Sequence, residues 1–423
     1  MRVLWLNAGL LLPLDKGGKL RTWHLMRHLA ARHQVTYLSF ADPSAAPADL
    51  DGMREVCERL ETVPRREVAK GSAPFYLRAS RFLVDPAPYA VAAYRSAEYR
   101  ARLARLLAER PYDAVVCDFL VPAVNLPAAL PCPAVLFTHN VEAEIWRRHA
   151  ETEPRAWRRA LLRSQWRRML RFEGRALARF DGVLAVSEAD RETFARLYGK
   201  RLRAPVTVIP TGVDATFFSA AAGLPHDPHH LAFTGSMDWL PNEDAVLYFC
   251  REVLPLIRRA EPRVTLSVIG RNPTAAVRRL ADQVPGVEIT GRVDDIRPHV
   301  ARASLSIVPL RIGGGTRLKI YEAMAMGRPV VSTTVGAEGL PLAAGRDLAI
   351  ADDPGAFARA VLALLDDPGG RQRMADAARR LVTERYDWSA VAGTLEDAIH
   401  AAITSGRAAA PIPQRLGEVR SRS

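Results

Sequence analysis

Residues Pro309–Pro329 read PLRIGGGTRLKIYEAMAMGRP, and the order of residue types in this stretch decides the fold. An apolar run, LSIVPL at Leu305–Leu310, leads to three consecutive glycines, Gly313, Gly314 and Gly315, then Thr316 and a segment of helical periodicity. The pattern is a strand feeding a helix through a loop whose backbone can approach a ligand closely. A helix start offers free N–H groups and a positive dipole end, so this loop suits a diphosphate. Lys319 and Glu322, three residues apart, share one face of that helix. A cation for phosphate beside an acceptor for ribose hydroxyls is what a nucleoside diphosphate needs. A glycine-rich helix entry with a surface Lys–Glu pair fits the same residues equally well.

Working outward, the segments LAFTGS, VTLSVIG, VEITG, LSIVPL, PVVST and DLAIAD alternate with helical stretches from Leu231 to Asp352. The first half has the same rhythm. A strand over 2–7 is followed by a loop ending at Gly17–Gly18, a helix over Lys19–Ala31 and a strand over Val35–Phe40. Further strands are expected at Ala114–Asp118, Ala134–Thr138 and Gly182–Ser187. Alternation of this kind predicts an α/β protein with two doubly wound parallel sheets. The strand VTVIP, the turn TGVD and the loop-like Ser219–Pro228 mark the junction, giving domains over 1–205 and 206–386. The tail over 405–423 has few bulky apolar residues and is expected to be mobile.

In such sheets ligands bind beyond the carboxyl ends of the strands, and two facing domains leave a central cleft. Strand Ala134–Thr138 delivers His139 and Asn140, then Glu142, to that edge. A histidine there suits a sugar hydroxyl or a reacting centre, and equally a bond to loop backbone. Gly17 and Gly18, with Lys19 and Arg21, form a second glycine-rich helix entry, suited to a leaving phosphate or an acceptor, or to a plain turn.

Composition narrows the partners. Lys and Arg number 59 against 46 acidic residues, a net charge of +13 that favours anionic partners. Arg155–Arg179 holds nine arginines and one acidic residue at helical spacing, which fits either an anionic membrane surface or a packed helix with solvated arginines. No apolar run approaches the roughly 20 residues of a membrane-spanning helix. The opening MRVLWLNAGLLL is broken by Asn7 and reads as a buried strand rather than a signal peptide. Four dispersed cysteines suggest neither a disulfide framework nor a zinc site, and a cytoplasmic setting fits. No P-loop, H-E-x-x-H, G-x-S-x-G or first-strand G-x-G-x-x-G is present, which excludes several ATP-, zinc- and NAD-dependent classes. Asp294–Asp295 and Asp352–Asp353 are isolated pairs, so no metal and no cofactor is expected.

Taken in order, the Gly17–Gly18 loop, THNVE at Thr138–Glu142, AVSEAD at Ala185–Asp190, IPTGVD at Ile209–Asp214, IGRNP at Ile269–Pro273 and YEAMAMGRPVVST at Tyr321–Thr333 resemble the retaining glycosyltransferases of family 4. The resemblance implies the GT-B architecture, two Rossmann-like domains, and a helix over 387–404 returning to the first. It implies that Glu322 binds the donor ribose. The family's second glutamate, eight residues earlier, is Gly314 here, and its usual Arg and Lys after the first strand of the second domain are replaced by GSMDWLPNED at Gly235–Asp244. The GGGTRLK loop resembles a variant found among bacterial polysaccharide-assembly transferases, which puts Arg317 and Lys319 forward as phosphate cations. The implied catalytic set is His139, Arg317 and Lys319. The implied donor set is Gly235, Gly313, Gly314, Gly315, Thr316 and Glu322, with Gly17, Gly18, Asn140 and Glu142 on the acceptor or phosphate side. The expected partners are a nucleotide-sugar donor, a glycan or lipid-linked glycan acceptor and an anionic membrane at its cytoplasmic face, not nucleic acid. A non-hydrolysing nucleotide-sugar epimerase and a non-catalytic binding subunit share these features.

Overall fold

The computed structural model describes residues 1–15, 17–66, 85–203, 205–219, 226–312 and 317–409. Gly313–Thr316 and the tail beyond 409 lie outside them. The chain divides into two compact units, Met1–Ile209 with Gly393–Ser423, and Pro210–Ala392.

The first unit holds a parallel sheet of seven strands: β1 (Arg2–Leu6), β2 (Gln34–Ala41), β3 (Arg59–Pro64), β4 (Ala114–Asp118), β5 (Ala134–Phe137), β6 (Gly182–Ala185) and β7 (Val206–Val208). Their order is β3-β2-β1-β4-β5-β6-β7. Every residue of β4 and β5 is buried, as expected of apolar strands covered by helices on both faces. β7 pairs with β6 and so completes the first sheet rather than opening the second domain. β3 was not anticipated: RLETVP is a polar, alternating edge strand without the apolar density of its neighbours.

The second unit holds a parallel sheet of six strands: β8 (Asp227–Thr234), β9 (Thr265–Ile269), β10 (Val287–Gly291), β11 (Ala303–Val308), β12 (Val330–Ser332) and β13 (Ala349–Ile350). Their order is β10-β9-β8-β11-β12-β13. β8 begins inside the segment expected to be a loop, because Asp227 already pairs with Ala303 of β11.

In each sheet the strand order reverses beside the first strand, between β1 and β4 and between β8 and β11. Such a switch point opens a crevice at the carboxyl ends of the strands, because the connecting helices leave toward opposite faces. The last helix, Trp388–Ala409, starts with Trp388 against Gly212. Further on, Glu396 accepts from His33 at 2.8 Å and pairs with Arg32 at 2.6 Å.

Candidate functional site

At the first switch point Asp118, the last residue of β4, is fully buried. Its Oδ2 accepts from Asn7 Nδ2 at 2.7 Å, Thr22 Oγ1 at 2.8 Å and Trp5 Nε1 at 3.1 Å. Its Oδ1 lies 2.7 Å from His139 Nε2. The other ring nitrogen, Nδ1, lies 3.1 Å from Arg21 Nη1. An arginine can only donate and a carboxylate only accept, so His139 carries its proton on Nε2 and accepts at Nδ1. Burial holds the His139 pKa below its ordinary value, against the pull of Asp118. Burial likewise lowers that of Arg21 to about 10, with Asp118 and Asp190 opposing.

Phe119, at φ +66°, stacks on His139 with ring centroids 3.9 Å apart. A non-glycine residue in this backbone region is uncommon and marks a constrained turn. Gly18 lies close against this ring, since a Cβ on it would stand 2.8 Å from Phe119 Cζ and force a shift, whereas Gly17 has open space around it. His139 is thus a buried, doubly engaged imidazole, with no ring nitrogen left over for a sugar in this arrangement. Asn140 is exposed, and Glu142 is half-buried with its carboxyl pKa pushed up by burial.

The helix Glu142–Thr152 is capped from outside its own sequence. Glu173, on the helix Ala156–Leu177, accepts from the Glu142 and Ala143 amides at 2.9 and 3.1 Å, and from Tyr198 Oη at 2.7 Å. Its burial raises its pKa to about 7, against the opposing pull of those bonds. Glu173 is the single acidic residue of the arginine-rich segment, and that oddity of composition was the one sequence signal of its role.

At the second switch point a cavity of about 330 Å³ is lined by Gly235, Trp239, Gly270, Arg271, Arg317, Lys319 and Glu322, among others. It brings together Gly235, Arg317, Lys319 and Glu322 from the sequence analysis. Gly313, Gly314, Gly315 and Thr316 lie outside the described residues. The turn after β8 is tightly built. A Cβ on Gly270 would collide with the Gly235 carbonyl oxygen, and Arg271 Nε donates to Ser236 Oγ at 3.1 Å. Asn242 Nδ2 donates to the Ser236 carbonyl at 2.8 Å.

Lys319 Nζ reaches Asn242 Oδ1 at 2.8 Å and sits 4.2 Å from the Phe233 ring centroid. Burial lowers the Lys319 pKa to about 7, opposed by Glu322 and assisted by Arg317. The same burial raises Glu322 to about 7, opposed by Lys319. Its carboxyl makes no hydrogen bond to another described residue. Arg317 is buried, its guanidinium 6.0 Å from the Trp239 ring centroid. Asn242, Trp239 and Gly270 were not singled out from the sequence, because their roles arise from contacts between loops that no spacing rule encodes.

Three basic side chains, Arg271, Arg317 and Lys319, and the Glu322 carboxyl thus surround a glycine-walled cavity at the switch point of a doubly wound sheet, and two such sheets are the architecture of the GT-B type. Residues 16–217 match the Glycosyltransferase Family 4 domain and residues 228–367 the domain described as Glycosyl transferases group 1. Together the two matches span most of the chain, which is similar to the glycosyltransferases of family 4. A glycogen synthase of Mycobacterium tuberculosis is 28% identical over 289 residues, 65% of either chain. D-inositol 3-phosphate glycosyltransferase 2 of Catenulispora acidiphila is 30% identical over 252 residues, 54% of this chain and 58% of its own. The matches therefore span about two thirds or less of these relatives' length. The crystal structure of Anabaena Alr3699/HepE in complex with UDP shares the fold, with a TM-score of 0.64 at 15% identity over 95% of this chain and 100% of that one.

Proposed function

We propose that the protein transfers a sugar from a nucleotide-sugar donor to an acceptor with retention of anomeric configuration, in polysaccharide or glycoconjugate synthesis. The observation that carries this reading is the cavity joining Arg317, Lys319 and Glu322 beside Gly235. In it the cations meet the diphosphate and the Glu322 carboxyl meets the ribose. Departure of the nucleoside diphosphate is then driven by positive charge already in place, with no metal needed to neutralise the leaving group. Retention is read from the likeness to family 4. The UDP complex of the Anabaena protein makes uridine diphosphate sugars the first donors to test.

On the acceptor side, Gly17, Gly18, Asn140 and Glu142 stand at the carboxyl edge of the first sheet. The Asp118–His139–Arg21 network braces that edge. A separate cavity of about 320 Å³, with Asp15, Lys19, Asp42 and Arg65 in its wall, lies beside the ends of β1 and β2 and suits a hydroxyl-rich acceptor.

The acceptor is read as a glycan or a lipid-linked glycan at the cytoplasmic face of a membrane. Arg163, Arg167, Arg171 and Arg175 form an exposed row along the helix Ala156–Leu177 and make no ion pair with a described carboxylate. Trp157, 65% exposed, and Leu161, 42% exposed, lie on the first turns of the same helix. Arginines with an exposed tryptophan suit an anionic bilayer surface. Among the described residues no helix is long and apolar enough to cross a membrane.

Incubation with each donor, followed by chromatography and NMR of the product's anomeric proton, tests the reaction. Released nucleoside diphosphate with an axial or equatorial configuration kept from the donor is the expected result, undiminished by EDTA. Interconversion of the donor sugar without transfer would point to an epimerase. Flotation with anionic vesicles at low salt, lost with neutral vesicles, is expected of the arginine face.

A further inference from the structure

Asn242 lies in the first turn of the helix Leu240–Tyr248, yet its side chain points inward and is 3% exposed. Both ends of its amide are used, Nδ2 toward the Ser236 carbonyl and Oδ1 toward Lys319 Nζ, each at 2.8 Å. The partners fix the orientation, because only the oxygen can accept from an ammonium and only the nitrogen can donate to a carbonyl. Gly235 makes room for the pair. A Cβ at that position would stand 2.6 Å from Asn242 Nδ2 and 2.9 Å from Lys319 Nζ.

The chemistry of the acceptor matters. An amide oxygen fixes an ammonium in place without cancelling its charge, whereas a carboxylate would hold it and neutralise it. The other groups facing Lys319 are the Phe233 ring on β8 and, on its own helix, Glu322 and Arg317. A ring face attracts a cation without neutralising it, and Arg317 adds positive charge. Glu322 is the one carboxyl among them.

We propose that Asn242 is a positioning residue that holds the Lys319 ammonium at the cavity wall, with its charge unspent, to meet the phosphates of a nucleoside diphosphate. The proposal rests on the donor reading above. On that reading Glu322, not Asn242, meets the nucleoside, so loss of Asn242 is expected to act chiefly on phosphate binding.

Calorimetry with UDP, GDP, ADP and dTDP identifies the nucleotide that wild type binds, and that nucleotide is then compared with its nucleoside. Asn242→Ala is expected to weaken the diphosphate about tenfold and to leave the nucleoside within about twofold, the scale of one charged hydrogen bond. In a Lys319→Ala background it should add nothing further. Equal losses for nucleoside and diphosphate, or losses that multiply in the double variant, would overturn the role. A second readout needs no nucleotide. In an NMR titration of labelled Lys319, Asn242→Ala should lower the midpoint, by removing a bond to the charged form, and Asn242→Asp should raise it. A midpoint that moves in neither variant also overturns the proposal. If the midpoint moves as expected but no nucleotide binds wild type, the donor reading fails and the Asn242–Lys319 relationship stands.

Discussion

Asp118 accepts the Nε2 proton of His139 at 2.7 Å, and three further donors, from Trp5, Asn7 and Thr22, converge on its other oxygen. One buried carboxylate therefore ties β1, the helix Gly17–Ala30 and the loop after β5 to the end of β4. Asp118→Ala strands all four donors and is expected to lower the unfolding free energy by about 3 kcal/mol or more. Denaturant unfolding measures it, and a loss below about 1 kcal/mol would mean that the network does not brace this edge.

Glu322 faces the second cavity with a carboxyl that makes no hydrogen bond to another described residue. Glu322→Ala is expected to weaken nucleotide binding by about 1–3 kcal/mol, the range for losing bonds to a charged group. Unchanged affinity in a folded variant would remove the ribose assignment.

Arg317 and Lys319 meet charge that grows as the sugar leaves. Arg317→Ala and Lys319→Ala should therefore reduce kcat by a larger factor than they weaken donor binding. Near-normal turnover in both variants would place the phosphate cations elsewhere.

The pH dependence of binding has a definite sign. With burial lowering the Lys319 pKa to about 7, an increase in pH removes a positive charge beside the phosphates. Nucleotide affinity should fall as pH rises above about 7. Bound phosphate restores the lysine's charge, so binding at pH 8 should take up protons. Calorimetry in buffers of different ionisation heats reads both effects. Affinity that stays level from pH 7 to 9, or proton release, contradicts the arrangement.

Much of this was legible in the sequence, for identifiable reasons. β4, β5 and β11 are continuous apolar runs, which a parallel sheet covered on both faces requires, so their positions were readable to within a residue or two. Lys319 and Glu322 were readable as neighbours because three residues along a helix return to the same face. The polar β3 lacks that density, whereas the short β13 falls inside the strand expected at DLAIAD. Asp118 read only as the end of a strand, since the convergence of Trp5, Asn7, Thr22 and His139 upon it depends on packing across the sheet. Gly270 lies in a motif that was recognised, but its close approach to the Gly235 carbonyl exists only once β8 and β9 pair.

The central claim is that the second unit binds a nucleotide-sugar through Glu322 and the cations beside it. Thermal unfolding of wild type and Glu322→Ala against UDP-, GDP-, ADP- and dTDP-sugars tests it most directly, because a ligand bound only by the folded state raises Tm by mass action. The account predicts that donors of one nucleotide raise the Tm of wild type and do so much less in Glu322→Ala. No shift with any donor at millimolar concentration, or an equal shift in both proteins, would contradict it.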